Sequence, residues 1–349
     1  LALCMMAALL PTAAFAADPL SPGTTFSYTH QGKTLKYTVN ADGNTVSVAK
    51  QGSDAVSGDV VIPATVKDEE GTKYDVTSIG ENAFNRCDSL ISIKIPSSVT
   101  SIESHAVFGC YSLTSVEIPS SVTRIGKSAF AECTSLTSIE IPSSVTSIGD
   151  SAFYLSALTK ITIPASVTSI GIQAFGCPKL QNVDFDANSQ LKSIGCRAFF
   201  CTKLTEITIP ASVTSIENDA FSECWNLKKI YFEGTEEQWK KLNFTPTGIG
   251  SSGLAIVYLH TVKFDPNGHG TAPENIYVEN KKTIPTNKKP TDPTETGYTF
   301  KGWYYTENET EKEFAFGESG TPVTSSMTLK AKWEINRYTV KFMNGEDEV

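Results

Sequence analysis

A mainly β fold, a solenoid of short strands stacked coil upon coil with a separate small β module after it, is what the sequence predicts. Three observations carry the prediction. Between Ile95 and Phe232 one pattern returns again and again, Leu-x-x-Ile-x-Ile-Pro-x-x-Val-x-x-Ile-Gly-x-x-Ala-Phe-x-x-Cys, with steps of 23, 23, 22, 22, 24 and 23 residues. The exposed slots of that pattern are filled by Ser and Thr, which favour turns and strands over helices. From His260 the period stops and a different alternation begins. A repeat this regular cannot be a row of independent domains, because each unit buries its apolar side only against its neighbours.

The first element is a leader. Residues 1–16 are apolar and Ala14-Phe15-Ala16 fits a small-x-small cleavage site, so 1–16 is expected to be the remainder of a secretory signal peptide. Cys4 follows a bulky residue and is not expected to be a lipoprotein cysteine. No other stretch offers the roughly 18 consecutive apolar residues that a membrane helix needs, so the visible chain is expected to be exported with no membrane span. It is also expected to be part of a longer protein, with any anchor beyond Val349. Residues 17–59 alternate apolar and polar around Asn40-Ala41-Asp42-Gly43-Asn44 and predict a β-hairpin cap that shields the first coil from an open sheet edge.

The solenoid is expected over 60–259. In the coil Leu136 to Leu158, Ile139 and Ile141 are spaced by two and predict a short strand, which Pro142 ends because it has no N–H to give to the next strand. Val145 and Ile148 form a second inward segment, Gly149 makes the bend, and Ala152-Phe153 closes the turn. Equivalent residues of stacked coils should lie about 4.8 Å apart, which lines up Phe84, Val107, Phe130, Phe153, Phe175, Phe199 and Phe221. The slot that follows holds Cys87, Cys110, Cys133, Cys177, Cys201 and Cys224. Val107 should leave a void unless Phe108 turns in, with local irregularity. Gly234-Thr235-Glu236-Glu237-Gln238-Trp239 predicts a capping box and a short helix through Leu242, with Trp239 covering the last coil. Leu254 to Leu259 would add a final strand.

These residues resemble the BspA-type leucine-rich repeats of bacterial surface proteins, which implies a leucine-rich-repeat solenoid. In residues 260–334, Thr261-Val-Lys-Phe-Asp-Pro-Asn-Gly268, the aromatic run Gly297 to Tyr305 and the alternation Met327 to Trp333 resemble the internalin B-repeat, or Listeria–Bacteroides repeat. That resemblance implies a small β-grasp-like module used as a spacer or adhesive stalk. Residues 335–349 begin a second copy, since Tyr338-Thr-Val-Lys-Phe-Met-Asn-Gly345 repeats the opening motif.

Chemistry is scarce. Seven cysteines remain after the leader, an odd number spaced about 23 apart, which fits neither a full disulfide framework nor a zinc site. The ladder cysteines are expected to be buried free thiols, with Cys196 off the ladder and reactive. His30, His105, His260 and His269 fall in separate segments with no triad or ligand set, so no enzyme activity, cofactor or metal is expected. A net charge of -9 is the wrong sign for nucleic acid. What remains is the outward row Lys94, Glu117, Glu140, Thr162, Asp184, Thr208 and Tyr231, beside a parallel row beginning Ser92, Ser115, Ser138. One reading is a plain solvated face; the other is a broad, shallow recognition surface without a deep pocket. The resemblance favours a secreted or cell-surface adhesion protein binding a host extracellular protein, another microbial surface or a glycan. A non-binding stalk, or the targeting region of an exported enzyme with its catalytic domain beyond Val349, remain as alternatives.

Overall fold

The computed structural model describes residues 19–52, 56–249, 253–338, 343–344 and 347–348. The leader expected over 1–16, with Cys4, lies outside the described residues, as does most of the second repeat copy. The chain forms two compact units, one up to Leu158 and one from Thr159.

The first unit opens with three antiparallel strands, Thr25–His30, Lys33–Val39 and Thr45–Val48. Where a hairpin was expected there is a three-stranded meander. Its last turn is held by the Asp42 carboxylate, which accepts hydrogen bonds from the Asn44 and Thr45 amides and the Thr45 hydroxyl. Those donors hold the Asp42 carboxyl below its usual range. Thr45–Val48 then pairs in parallel with Lys73–Ile79, the first solenoid strand, so the cap removes an open edge by joining the sheet. Behind it, Ser101–Ile102, Arg124–Ile125 and Ser147–Ile148 continue one ladder, with Ile79, Ile102, Ile125 and Ile148 in register. Gly58–Val61, Leu90–Lys94 and Ser115–Glu117 form the second ladder, also parallel, with one register shift between Gly58 and Asp59.

A third line of hydrogen bonds joins the coils through their turns. The amides of Asn82, Phe84 and Arg86 donate to the carbonyls of Ser104, Ala106 and Phe108. His105, Val107 and Gly109 do the same to Lys127, Ala129 and Ala131, and Ser128, Phe130 and Glu132 to Asp150, Ala152 and Tyr154. The geometry requires left-handed backbone at two sites per coil: Asn82 and Arg86, His105 and Gly109, Ser128 and Glu132, Ser151 and Leu155. Only one of those eight is glycine, the residue that adopts this conformation without strain. The conserved-looking glycine of the repeat serves a different need. At Gly149 a Cβ would meet the backbone of Gly126 and Lys127 at 2.8 Å, and at Gly126 that of Glu103 at 2.7 Å. Adjacent coils touch there, and φ is not the constraint.

Two expectations fail in detail. Residues 136–141 form no strand, and Ile139 is half-exposed where Ile93 and Ile161 are buried. The coil is a residue short, and the segment has no strand partner among the described residues. Val107 leaves no irregularity: it is fully buried and its amide bond to Ala129 is 2.8 Å. Phe108 stays outside, edge-on to His105 at 5.7 Å and under the Arg86 guanidinium. The fourth coil fills the cysteine slot with Ser156, which is buried.

In the second unit Ser169–Ile170, Ser193–Ile194 and Ser215–Ile216 are parallel and in register, as are Lys160–Ile163 with Asn182–Phe185 and Glu206–Ile209 with Lys229–Phe232. Phe175, Phe199 and Phe221 stack, with centroids 5.9 and 5.4 Å apart and planes within 10°. Cys201 is not in the ladder slot. It takes the left-handed position at φ 56°, half-buried, and Thr202 is the buried residue, its hydroxyl 3.1 Å from the Cys224 thiol.

The helix Glu236–Lys241 has the capping box that its sequence predicts: the Thr235 hydroxyl accepts from the Gln238 amide and the Gln238 side chain accepts from the Thr235 amide. Trp239 is buried edge-on to Phe232 and Phe244. The strand after it is longer than expected. Ala255–Asp265 pairs in parallel with Lys229–Phe232 through residues 255–258 and with Met327–Ile335 through 262–265. The boundary expected between 259 and 260 therefore lies inside one continuous strand. Beyond it, Tyr298–Glu307 pairs antiparallel with Met327–Ile335 across a bulge at Phe300 to Gly302. Val262, Phe264, Trp303, Leu329 and their neighbours make a separate core.

Candidate binding face

Where a coil forms the strand before the proline it alternates, and the side chain that faces away from the core is short of apolar atoms. In the first unit Ile93 and Val116 are buried while Lys94, Glu117 and Glu140 are exposed. Lys94 and Glu117 are register partners, and their side chains meet in an ion pair of 2.7 Å. Both groups are well exposed, so the pair contributes little to stability. Glu140 sits on the stretch that forms no strand.

In the second unit Thr162 is the register partner of Asp184, and Thr208 that of Tyr231. The first pair is exposed and the second half-buried. Lys229 accounts for part of that burial: its Nζ donates to the Tyr231 hydroxyl at 3.3 Å and lies 5.5 Å from the ring centroid. That hydroxyl holds the ammonium above its ordinary pKa.

The face was expected to be shallow throughout, and at Tyr231 it is not. Thr208, Tyr231, Glu206 and Glu233 form one wall of a cleft of about 580 Å3, with Tyr277 and Glu279 of the strand Ile276–Glu279 among the residues lining the rest. Burial pushes the Glu233 carboxyl up to about 7, partly offset by the neighbouring Tyr277 hydroxyl. The cleft exists because strand Ala255–Asp265 carries the second module's strands onto the last coil's sheet. Sequence reasoning missed it for that reason: Glu233 and Tyr277 are 44 positions apart, in different motifs. Trp225, 62 % exposed in the turn after Cys224, was also missed; its place in a non-apolar slot of the repeat was the available signal.

Among the described residues none of the cysteines is in a disulfide. Cys87, Cys110, Cys133, Cys177 and Cys224 are buried, and Cys196 and Cys201 half-buried. Cys110, Cys133 and Cys224 donate to the carbonyls of Phe84, Val107 and Phe199 at 3.0, 3.2 and 3.0 Å. Burial pushes the Cys133 thiol up to about 12. Each is therefore a neutral donor that satisfies a carbonyl of the preceding coil. Among the described residues no group of three His, Cys, Asp or Glu side chains is placed to hold a metal ion, and no helix is long and apolar enough to cross a membrane.

Two family models match the chain. The family described as BspA type leucine rich repeat region matches in six copies over residues 72–176 and 146–251, and the Listeria-Bacteroides repeat domain matches residues 260–332. A leucine-rich repeat protein from Bacteroides ovatus is 27% identical, with 57% of this chain and 69% of that one covered and a TM-score of 0.41. The leucine-rich repeat protein of T. pallidum is 24% identical over 64% of this chain and all of its own, with a TM-score of 0.45. A protein of Evansella cellulosilytica named "Putative membrane protein" is 39% identical over 94 residues, which are 27% of this chain and 13% of that protein. The chain thus spans only a small part of the length of the curated relatives it matches.

Proposed function

The chain belongs to the BspA-type leucine-rich repeat family, and from that premise we propose that it is a surface-displayed binding protein, with the outward strand row as its contact face and the Listeria-Bacteroides repeat as its stalk. The ligand would be an extracellular protein of a host or of another microbe. The observation that carries this reading is the row itself. Lys94, Glu117 and Glu140 in the first unit and Thr162 and Asp184 in the second are each polar and exposed, and among the described residues Lys94 and Glu117 form an ion pair. Such residues add almost nothing to the fold, so their chemistry is available for a partner. Mixed charge on a strand face suits a protein surface, where complementary charges set encounter rate and register.

The test is charge reversal in the full chain. Glu117→Lys together with Glu140→Lys should change binding to immobilised host matrix proteins or to whole cells by at least about tenfold, with the melting temperature unchanged within a degree or two. Binding unaltered by that double substitution would remove the row from the interface.

A further inference from the structure

We propose that the cleft between the last solenoid coil and strand Ile276–Glu279 receives one basic side chain, a guanidinium or an ammonium, from a protein ligand. The argument starts from its volume, about 580 Å3, which is more than one side chain needs and enough for an arginine with its flanking backbone. Two tyrosines, Tyr231 and Tyr277, and three carboxylates, Glu206, Glu233 and Glu279, contribute to the lining. Rings and carboxylates together are the groups that hold organic cations.

Glu233 is the member that asks for a ligand. It follows strand Lys229–Phe232 with its side chain half-buried in the cleft wall, and among the described residues no lysine or arginine offsets that loss of hydration. Its neighbours are accounted for. Glu206 and Glu279 both face Lys229, which in turn is bonded to Tyr231. Lys282 and Lys288 line the same cleft, yet neither forms an ion pair with Glu233 among the described residues. A half-buried carboxyl with no cation is costly when ionised, and with its value raised to about 7 it is still about half protonated at neutrality. A ligand cation removes that cost. Arginine fits better than lysine, since its planar fork can bond a carboxylate with two parallel N–H groups and stack on a ring.

The proposal rests on the protein-binding reading only in taking its cation from a protein, and a small probe separates the two. Calorimetric titration of the full chain with the capped tripeptide Gly-Arg-Gly is the experiment, with Gly-Gln-Gly and a neutral trisaccharide as controls. The arginine peptide should bind about tenfold more tightly at pH 8 than at pH 6, because a carboxyl titrating near 7 is about one-tenth ionised at the lower pH. At pH 6, buffers of different ionisation heat should reveal release of nearly one proton per peptide bound. Glu233→Gln, which mimics the protonated form and should preserve the fold, should weaken binding at pH 8 at least about tenfold and abolish the pH dependence. Equal binding of the glutamine peptide, preference for the saccharide, no proton release, or no binding at millimolar peptide would each overturn the cleft assignment. Glu117 and Glu140 are untouched here, so such a result leaves the charge-reversal test of the strand row standing on its own.

Discussion

The rings of Phe130 and Phe153 lie 5.6 Å apart and 7° from parallel, both shielded from water. Their separation is set by the coil period, because the amide of Phe130 bonds the carbonyl of Ala152 in the next turn at 2.8 Å. Backbone and side-chain ladders therefore reinforce each other. Phe153→Ala should cost about 3–5 kcal/mol through lost burial and the cavity left behind. Glu140→Ala, one coil face away, should stay within about 0.5 kcal/mol. Urea denaturation of both variants checks the inward and outward assignment, and comparable losses would refute it.

The thiols should separate by burial. Native protein treated with iodoacetamide should be labelled at Cys196 and Cys201 first, while Cys110, Cys133 and Cys224 react only after unfolding, since the thiolate is the nucleophile and burial raises those thiols. Peptide mapping that finds Cys110 joined to Cys133 would contradict this.

Two turn substitutions should act in opposite senses. Gly149→Ala places a methyl 2.8 Å from the backbone of the preceding coil and should cost about 1–3 kcal/mol by overpacking. Glu132→Gly removes a left-handed residue at φ 59° and should be neutral or stabilising by up to about 1 kcal/mol, strain relief opposing the extra freedom of the unfolded chain. Thermal melts of the pair decide whether space or dihedral angle governs each site.

Glu233 should make stability depend on pH. Its folded value, about 7, lies above the usual 4.5, so between those values the folded state keeps a proton that the unfolded state gives up. Stability is then highest below about pH 4.5 and falls as the pH rises to 7, levelling off beyond. Allowing for partial solvent access, the loss from this group should be about 2 kcal/mol. Glu233→Gln should flatten that part of the profile, and an unchanged slope would show that the carboxyl is better hydrated than its position suggests.

The repeat was legible because its core demands identity at fixed intervals: Ile102, Ile125 and Ile148 must match to share a ladder, and Thr235 with Gln238 spells a helix start in four letters. What escaped was set by backbone alone or by distant partners. Ser128 and Glu132 carry no mark of left-handed φ, since the ladder that imposes it runs between coils. Cys201 misled because the slot is defined by distance from Phe199 along a turn, where Thr202 is the better fit. Of the face residues, exposure was readable from alternation, whereas the burial of Tyr231 required Lys229 and a strand from the second module. Ile139 failed as a strand because propensity cannot supply an in-register neighbour.

The unbroken strand Ala255–Asp265 also bears on mechanics. A pull applied through the second module along this strand is passed into the last coil by the parallel pairing of residues 255–258 with Lys229–Phe232, which begins at the bond from the Ala255 amide to the Lys228 carbonyl. Those bonds resist together, in shear, rather than opening one after another as at a peeled edge. With no flexible linker to stretch first, the end of the solenoid and the module should yield to tension as one mechanical element, a property suited to a tether under flow.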